Sequence, residues 1–408
     1  MTPMEKGPKG RIGILTGGGD IPGLNQAIRG VTMRALREGF DVVGIRRGWA
    51  GLVDIDRDNV GEGAGGGDLS HYCIPLTEDV VEAHVYKGGT FLHSSRTKPS
   101  AVPLKDLPAH LKGKYTAEKN DVSDDVIANL QFLGVDYLVP MGGDDTLSYG
   151  VELGRRGFPV VAVPKTMDND VPGTDYCMGF STCVTRTIEM AHQVTSSAAS
   201  HERIVVLEVF GRYAGFTALL PTIAGAADRC VIPEWPFDVE RLARLLVADR
   251  SHNPDRFAVC LVSEGARAEG GEMVFRGTET DQYGHAKLGG IGERVSAKIK
   301  ELARAHDPKG KIEMIFMNLG YFVRSGPPDA LDSIVPTVYG NLAVDLLLRG
   351  DTGRMVALQQ GRYTSVPIAT VVDGKKVVEV PRFYDTQRYT PKYEAFELQP
   401  MHLFSGLT

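Results

Sequence analysis

Residues 11–45 read RIGILTGGGDIPGLNQAIRGVTMRALREGFDVVGI, and the order of apolar runs and glycines in this segment indicates the class of fold. It opens with a short apolar run over 11–15, stops at a cluster of glycines, and continues with apolar residues at helical spacing up to Gly39. A second run, rich in β-branched residues, covers 41–45. The order of strand, glycine-rich loop, helix and strand predicts a βαβ unit and hence a parallel sheet buried on both faces.

The same architecture recurs along the chain, although the sequence itself does not repeat. Further short apolar runs, each ending in a polar loop, cover 135–140, 159–164, 203–210, 257–262 and 312–317. We therefore predict an α/β protein whose ligands bind in the loops beyond the carboxyl ends of the strands. The pattern weakens over 54–116, where we expect surface excursions, and over the last ~40 residues, where we expect short strands and an irregular tail.

Length and charge narrow the class of protein. The chain has 408 residues, enough for two or three domains, and its 45 Lys and Arg against 51 Asp and Glu give a net charge of −6. This mild acidity argues against a nucleic-acid partner, whose binding surface would carry a basic surplus. No stretch approaches the ~20 apolar residues needed to cross a bilayer, and the first residues lack the apolar segment of a signal peptide. We expect no membrane contact and a cytoplasmic location.

Cysteine and glycine usage add two expectations. The five cysteines are scattered outside any CxxC pair, which predicts buried or bystander thiols in a reducing compartment. Glycine is in excess, with 48 residues or about 12% of the chain against a typical usage of about 7%. The glycines expected to leave the backbone bare for phosphate and metal are Gly17, Gly18, Gly19, Gly142 and Gly143, whereas those at 61–67 are expected to form flexible surface.

The loop TGGGDIPGLN at 16–25 matches neither the dinucleotide fingerprint GxGxxG nor the phosphate loop GxxxxGK[ST]. It shares two properties with both motifs. Glycine backbone without side chains can approach an anion closely, and a helix is predicted to begin just after it, at Pro22. Two interpretations stay open for this loop. It is either a phosphate cradle or a tight strand-to-helix turn of the kind found in any α/β protein.

The loop GGDDT at 142–146 places two carboxylates directly after a buried strand and its glycines. Mg²⁺ prefers one or two carboxylates together with substrate phosphate oxygens, so Asp144 is a candidate metal ligand. The alternative is that Asp145 or Thr146 simply caps the next helix.

The loop PKTMDND at 164–170 supplies a cation, a hydroxyl and two carboxylates at the end of another strand. Phosphoryl transfer needs a group that orients the attacking hydroxyl and cations on the moving charge, and this loop offers both. The alternative is a charged turn in which Asp170 caps a helix.

Other polar side chains also follow strand ends. The arginines at such positions are Arg96, Arg203, Arg212 and Arg324. Guanidinium forks suit phosphate oxygens, although a solvated salt bridge would explain any one of them equally well. Glu264 suits hydrogen bonds from sugar hydroxyls, with a simple loop start as its alternative.

Taken together, these loops resemble those of the 6-phosphofructokinase family from about residue 11 to about residue 361. The matching segments are ILTGGGDIPGLNQAIRG, GGTFLHSSR, MGGDDT, PKTMDNDVPGTDYCMGFST, SSAASHERIVVLEVFGRYAG, IPE, SEG and NLGYFVRSG. The resemblance implies Mg²⁺-dependent phosphorylation of fructose 6-phosphate at its 1-hydroxyl, in a cleft between two Rossmann-like α/β domains. A phosphoryl-donor domain would comprise 10–180 plus about 323–368, and a fructose 6-phosphate domain with the tail would comprise about 181–322 plus 369–408.

The resemblance also implies residue roles. Asp168 would accept the hydroxyl proton with Thr166 nearby, Arg212 would steady the transferring group, and Asp144 and Asp170 would serve the metal. Gly18 and Arg96 would contact the donor. The residues implied for the sugar phosphate are Thr166, Asp168, Arg203, Phe210, Gly211, Arg212, Glu264, Tyr321 and Arg324. Arg203 would reach in from a neighbouring subunit of a homo-oligomer, a dimer or a tetramer.

Two positions bear on the phosphoryl donor. ATP-using bacterial members of the family have glycine where this chain has Asp145 and Lys165. Asp145 puts bulk and negative charge where the α-phosphate of ATP would lie, and Lys165 adds a point charge suited to a small, highly charged donor. The pair resembles that of pyrophosphate-dependent members, and the resemblance therefore implies a reversible reaction with pyrophosphate. An ATP-dependent enzyme in which the α-phosphate passes around Asp145 is the alternative.

The chain also departs from the family. Many members have methionine where Phe210 stands, histidine where Tyr321 stands and an arginine where Ile315 stands, which leaves the sugar-phosphate contacts of that loop open. Two other classes of protein are alternatives to a kinase. A catalytically idle sugar-phosphate sensor is disfavoured by the carboxylates and arginines that the loops keep, and a nicotinamide dehydrogenase by the displaced glycine of the 16–25 loop.

Overall fold

A computed structural model describes residues 7–60, 68–280, 286–306, 312–394 and 397. The glycine cluster at 61–67, which we predicted to be flexible surface, lies outside the described residues. The same holds for 395–396 and 398–408 of the predicted tail. The fold is α/β and is built around two sheets.

The strands are β1 (Arg11–Thr16), β2 (Asp41–Ile45), β3 (Cys73–Pro75), β4 (Val102–Pro103), β5 (Lys119–Asn120), β6 (Tyr137–Gly142), β7 (Val161–Pro164), β8 (Ile204–Val209), β9 (Arg229–Val231), β10 (Ala258–Ser263), β11 (Phe275–Thr280), β12 (Ala286–Leu288), β13 (Met314–Asn318), β14 (Arg354–Gln359), β15 (Arg362–Pro367), β16 (Tyr384–Asp385) and β17 (Thr390–Pro391).

The α-helices are α1 (Leu24–Arg37), α2 (Gly48–Val53), α3 (Glu78–Glu82), α4 (Ser123–Phe132), α5 (Asp144–Arg155), α6 (Phe180–Ser200), α7 (Phe216–Ile223), α8 (Val239–His252), α9 (Ile291–His306), α10 (Ala330–Leu348) and α11 (Val380–Phe383). Short 3₁₀ helices cover Leu69–His71, Pro99–Ala101, Leu104–Asp106, Ala109–Leu111, Gly320–Val323 and Ile368–Val372.

The larger sheet has seven strands in the order β15-β14-β7-β6-β1-β2-β3. Its five inner strands run parallel, and the edge strands β15 and β3 are antiparallel to their neighbours. β1 lies inside this sheet, where Ile14 is in register with Gly44 of β2 and with Val139 of β6. All six residues of β1 are buried, as expected for a parallel strand with helices on both faces.

The smaller sheet has four strands in the order β13-β8-β10-β9, all parallel. β8 and β10 form its buried centre. The strands of the larger sheet fall between residues 11 and 164 and between 354 and 367, and those of the smaller sheet between 204 and 318. The strands of the larger sheet thus all come from the predicted donor domain, and those of the smaller sheet from the predicted fructose 6-phosphate domain. The boundaries of these domains stay a prediction.

The strand pattern agrees with the sequence to within two residues at each end. All seven apolar runs predicted as strands, from 11–15 to 312–317, are β1, β2, β6, β7, β8, β10 and β13. Two predictions about the rest of the chain need correction. Helix α1 begins at Leu24 rather than Pro22, because Gly23 precedes it in a left-handed conformation with φ 104°. The 54–116 stretch is not only surface, since it supplies edge strand β3 and buries Val102, Leu107 and Leu111.

Helix α10 corrects our statement that no stretch approaches the length of a membrane span. Among the described residues it is the one helix that is long and apolar enough, by length and composition alone. In this fold it packs along α1, and the two backbones approach closely. A Cβ on Gly30 would lie 2.4 Å from the carbonyl oxygen of Thr337, and a Cβ on Gly340 would lie 2.5 Å from that of Ala27. This packing is that of a core helix.

A buried carboxylate ties α10 to the start of α6. Asp332 is fully buried, and its two oxygens accept hydrogen bonds from the Tyr176 hydroxyl at 2.7 Å, the Gly179 N–H at 2.7 Å, and the N–H and hydroxyl of Thr182 at 2.8 and 2.6 Å. Burial raises the pKa of Asp332 to about 6, and these four bonds oppose the rise. The network holds the polypeptide between β7 and α6 against α10.

We expect Asp332→Ala to lower the free energy of unfolding by about 4 kcal/mol, because it leaves several buried donors without an acceptor. Urea unfolding followed by circular dichroism measures the loss. The matched control is Asp345→Ala on the same helix, where Asp345 makes only a surface ion pair with Arg34, at 3.1 Å, worth at most about 1 kcal/mol. A loss for Asp332→Ala no larger than that of the control would contradict the role of the network.

Candidate active site

Loops at the carboxyl ends of strands from both sheets meet in one cleft of about 330 Å³. They follow β1, β6 and β7 in the larger sheet and β8 and β10 in the smaller one. The predicted site residues that line this cleft are Gly18, Arg96, Asp144, Asp145, Lys165, Thr166, Asp168, Asp170, Phe210, Arg212, Glu264 and Arg324. The topology therefore brings together side chains that are far apart in sequence, as parallel α/β sheets do at this edge.

Three predicted site residues do not line the cleft. Our prediction that Arg203 follows a strand end is wrong, because Arg203 directly precedes β8 and so lies at the opposite end of that strand from the cleft. Gly211 shapes the backbone, since with φ 120° a Cβ there would lie 2.7 Å from the carbonyl oxygen of Ala214. Tyr321 is 72% exposed, and its ring centroid lies 4.2 Å from the guanidinium carbon of Arg324.

Lys165 reaches from the end of β7 to the glycine loop after β1. It is only 4% exposed, and its Nζ donates to the carbonyl oxygen of Gly19 at 2.6 Å. Burial, reinforced by the positive charges of Arg324 and Arg96, lowers the pKa of Lys165 to about 8. Three cations at one loop form a site for an anion of high charge.

Arg324 is held at the same loop from the other side. It is 8% exposed, and its Nη2 lies 3.3 Å from Asp20 Oδ1. Its guanidinium carbon lies 5.7 Å from the ring centroid of Phe210. A Cβ on Gly19 would approach Arg324 Nη1 to 3.1 Å, so the missing side chain makes room for this arginine.

The five glycines expected to bare the backbone divide into two groups. Gly18, Gly19 and Gly143 line the cleft. Gly17 and Gly142 do not, and a Cβ on either would clash with the side chain of Thr146, at 2.5 Å from its Oγ1 and 2.3 Å from its Cβ respectively. For those two, tight packing between strand ends is the reason for glycine, which corrects our interpretation.

Asp168 stands at the junction of the two sheets. Its Oδ2 accepts the backbone N–H of Arg212 at 3.2 Å, and its own N–H donates to Thr166 Oγ1 at 3.2 Å. Burial raises the pKa of Asp168 well above its usual range, and the carboxylates of Asp170 and Glu264 raise it further. A carboxylate with a raised pKa in a cleft is suited to take up a proton.

The alternative interpretation of the two carboxylate loops, in which Asp145 or Thr146 and Asp170 cap helices, is wrong. Helix α5 begins at Asp144 with Gly143 at the N-cap, so neither Asp145 nor Thr146 caps it. The next helix after Asp170 is α6, which has Gly179 at its N-cap. The carboxylates of these loops are directed to the cleft rather than used as caps.

Asp144 and Asp170 converge on one cation, and that cation is a residue the sequence analysis missed. The Nζ of Lys375 lies 2.7 Å from Asp144 Oδ2 and 3.0 Å from Asp170 Oδ2. Burial alone would lower the pKa of Lys375, but the charges of Asp170 and Asp144 offset this and hold the pKa above its ordinary value. Lys375 lies in the tail segment that we assigned to the substrate domain, yet it contacts loops of the larger sheet.

This pair of carboxylates fits a magnesium ion by the chemistry of its donors. Two carboxylates from separate loops already share one cation, and Mg²⁺ is commonly held by one or two carboxylates together with phosphate oxygens and water. In the described part of the chain, no group of three or more His, Cys, Asp or Glu side chains is arranged to hold a metal. Two carboxylates leave most coordination positions of such an ion to other ligands.

Other residues of the cleft were also missed. Ile21, Met167 and Tyr213 line it, and the Tyr213 ring centroid lies 5.4 Å from Lys375 Nζ. All three lie inside the polar loop segments singled out in the sequence, so their position in those segments was an available signal. Lys375 gave none, because the DGKK stretch at 373–376 follows no predicted strand.

Comparisons with known proteins agree with this geometry. The family model described as phosphofructokinase matches residues 11–347. ATP-dependent 6-phosphofructokinase 3 of Streptomyces coelicolor is 35% identical over 379 residues, 92% of this chain and 99% of that protein. Pyrophosphate–fructose 6-phosphate 1-phosphotransferase of Amycolatopsis methanolica is 37% identical over 378 residues, 92% of this chain and 98% of that protein. The curated relatives therefore include both kinds of donor at nearly equal similarity.

A solved structure shares the fold. Phosphofructokinase from Saccharomyces cerevisiae superposes with a TM-score of 0.70 at 24% identity, over 89% of this chain. The chain spans 45% of the length of that much longer protein.

Proposed function

Because the chain belongs to the phosphofructokinase family, we propose that it is a pyrophosphate-dependent 6-phosphofructokinase. It transfers a phosphoryl group from pyrophosphate to the 1-hydroxyl of fructose 6-phosphate, giving fructose 1,6-bisphosphate and phosphate. The reaction is reversible and serves the interconversion of these sugar phosphates in glycolysis and gluconeogenesis.

The observation that carries the choice of donor is that Asp145 and Lys165 both line the cleft. The buried ammonium of Lys165 adjoins the glycine loop, where it meets a compact anion. Asp145 lines the same cleft, and its carboxylate repels the additional phosphate that a nucleotide brings. A donor of two phosphates fits between these charges better than one of three with a nucleoside attached.

The chemical step uses residues of both sheets. Asp168 takes the proton of the 1-hydroxyl while the hydroxyl oxygen forms a bond to phosphorus and the bridging P–O bond of pyrophosphate breaks. The backbone N–H of Arg212 fixes the orientation of the Asp168 carboxylate, at 3.2 Å from Oδ2. Arg212, Arg96 and Lys165 offset the charge that moves to the leaving phosphate.

Asp144 and Asp170 are the residues that would hold Mg²⁺. When bound, the metal neutralises charge on the donor oxygens and helps to orient them. We assign the sugar phosphate to Arg324, Glu264 and Phe210, which line the same cleft, with the exposed Tyr321 beside Arg324.

The second candidate is an ATP-dependent 6-phosphofructokinase. The observation that favours it is the Streptomyces coelicolor relative named as ATP-dependent, which is as similar over the same length as the pyrophosphate-dependent ones. In that case the α-phosphate would have to pass around Asp145.

The reverse reaction tests the proposal. Purified protein is incubated with fructose 1,6-bisphosphate and Mg²⁺ and with either orthophosphate or ADP, and fructose 6-phosphate is measured. We expect product with orthophosphate alone. Product that appears only with ADP would contradict the proposal and support the second candidate.

The state of Lys165 predicts a pH dependence of donor binding. With a pKa lowered to about 8, Lys165 carries its charge at pH 7 and loses it as the pH rises to 9. We expect pyrophosphate affinity to fall by about tenfold over this interval, beyond the effect of the ionisation of pyrophosphate itself. Calorimetric titration measures it, with Lys165→Met as the control that retains only the dependence of the ligand. Identical pH profiles for the two proteins would contradict the assignment.

Assembly and location are part of the same proposal. Arg203 does not reach the cleft of its own chain, which is consistent with a contribution to a neighbouring subunit of a dimer or tetramer. All five cysteines are free and buried, as suits a protein of the reducing cytoplasm.

A further inference from the structure

Residues 374–379, which we call the tail strap, have no regular secondary structure and run along the wall of the cleft. They have no role in the catalytic step proposed above. The Lys376 backbone N–H donates to the carbonyl oxygen of Asp170 at 2.9 Å. The Lys376 side chain is buried, and its Nζ donates to the carbonyl oxygens of Thr174 and Asp175 at 2.8 and 2.9 Å. These bonds fix the strap to the loop after β7.

The strap is also fixed on its far side. The backbone N–H of Val378 donates to Glu234 Oε1 at 2.7 Å, and the same oxygen accepts the N–H of Gly215 at 2.9 Å. The backbone directly after Lys375 is therefore fixed twice, at Lys376 and at Val378, while the Lys375 side chain projects into the cleft. It is not a surface lysine that samples many positions.

The charge arrangement around Lys375 is that of an ion site. Its ammonium is within 3.0 Å of one oxygen each of Asp144 and Asp170, which come from different loops. The side chain of Asp170 is only 8% exposed, so without a cation it would face Asp144 as an uncompensated buried charge. The ammonium of Lys375 therefore pairs with both carboxylates, Asp144 and Asp170, to which we assigned the metal.

We propose that Lys375 is a built-in counter-cation that competes with the divalent metal for Asp144 and Asp170, so that the metal binds together with pyrophosphate and not before it. This inference rests on the proposed function for the identity of the metal site. A free divalent ion must displace the ammonium and leaves three positive charges facing two carboxylates. Pyrophosphate brings the negative charge that restores the balance and gives the displaced ammonium a new partner.

The test is the affinity of the full-length protein for Mn²⁺, a spectroscopic substitute for Mg²⁺, measured without donor by the electron paramagnetic resonance signal of the free ion. We expect Lys375→Met to bind Mn²⁺ at least tenfold more tightly than the wild-type protein. Lys375→Arg, which keeps the charge, should remain close to wild type. Adding Asp144→Asn to Lys375→Met should abolish the gain, because it removes one of the two ligands.

The possible results distinguish failure of the role proposed for Lys375 from failure of the proposed metal site. Equal donor-free affinity of wild type and Lys375→Met would overturn the inference, while binding of Mn²⁺ with pyrophosphate would leave the proposed metal site standing. Absence of Mn²⁺ binding even with pyrophosphate would overturn both. Lys375→Gln serves as a second variant of similar polarity if Lys375→Met does not fold, and the same gain in affinity is expected from it.

Discussion

Asp168→Asn is expected to lower turnover by about 10²–10⁴-fold, the usual contribution of a general base. An asparagine has nearly the same shape, and its side-chain oxygen can still accept the N–H of Arg212 that Asp168 Oδ2 now accepts at 3.2 Å. It cannot take up the proton of the sugar hydroxyl. The loss should therefore appear in kcat, while the affinity for fructose 6-phosphate, measured by calorimetry, should change little.

The control for this experiment is Asp345→Asn, which removes a carboxylate on α10 that pairs with Arg34 at the surface. We expect its kcat to equal that of the wild-type protein. If Asp168→Asn also kept wild-type turnover, Asp168 would not be the base. A rise in KM without a fall in kcat would show that Asp168 only binds substrate.

The second large effect concerns the donor. Asp145→Gly combined with Lys165→Gly is expected to raise kcat/KM for ATP at least tenfold and to lower it for pyrophosphate by a similar factor. The reason is electrostatic: a carboxylate and a phosphate oxygen roughly 4 Å apart near a protein surface repel each other by about 4 kcal/mol. Removing Lys165 at the same time withdraws the charge that favours the smaller anion.

Two single variants separate the causes. Asp145→Asn removes the charge of Asp145 but keeps its bulk, whereas Asp145→Gly removes both. We expect ATP use to rise from wild type through Asp145→Asn to Asp145→Gly. Unchanged ATP use in all three variants would mean that the donor is selected elsewhere in the cleft.

Most of the strands of the two main sheets could be predicted from the sequence, because they are short, apolar and followed by glycines or charged residues. Each apolar run such as 41–45 or 203–210 corresponds to a strand, since strands buried in parallel sheets contain few polar residues. Of the strands in the two main sheets, β3, β9, β14 and β15 were not predicted. β9 has three residues, and the sequence of β15 contains polar side chains at an edge that one neighbour covers.

The candidate site was predictable where chemistry and sequence position coincide. Asp144, Lys165 and Asp168 all lie within four residues of the end of a strand, so the topology directs them to one edge of the sheet. Lys375 was not, because it comes from the tail and reaches the cleft only through tertiary contacts of the strap. Likewise the roles of Gly17 and Gly142 depend on Thr146, whose position against them is a matter of packing between neighbouring strands.

The choice of pyrophosphate as donor is tested by a forward assay of the purified protein with fructose 6-phosphate, Mg²⁺ and each donor in turn, in which kcat/KM is determined for both donors. We expect rapid formation of fructose 1,6-bisphosphate with pyrophosphate and a kcat/KM for ATP at least a hundredfold lower. Strong turnover with ATP and none with pyrophosphate would contradict it.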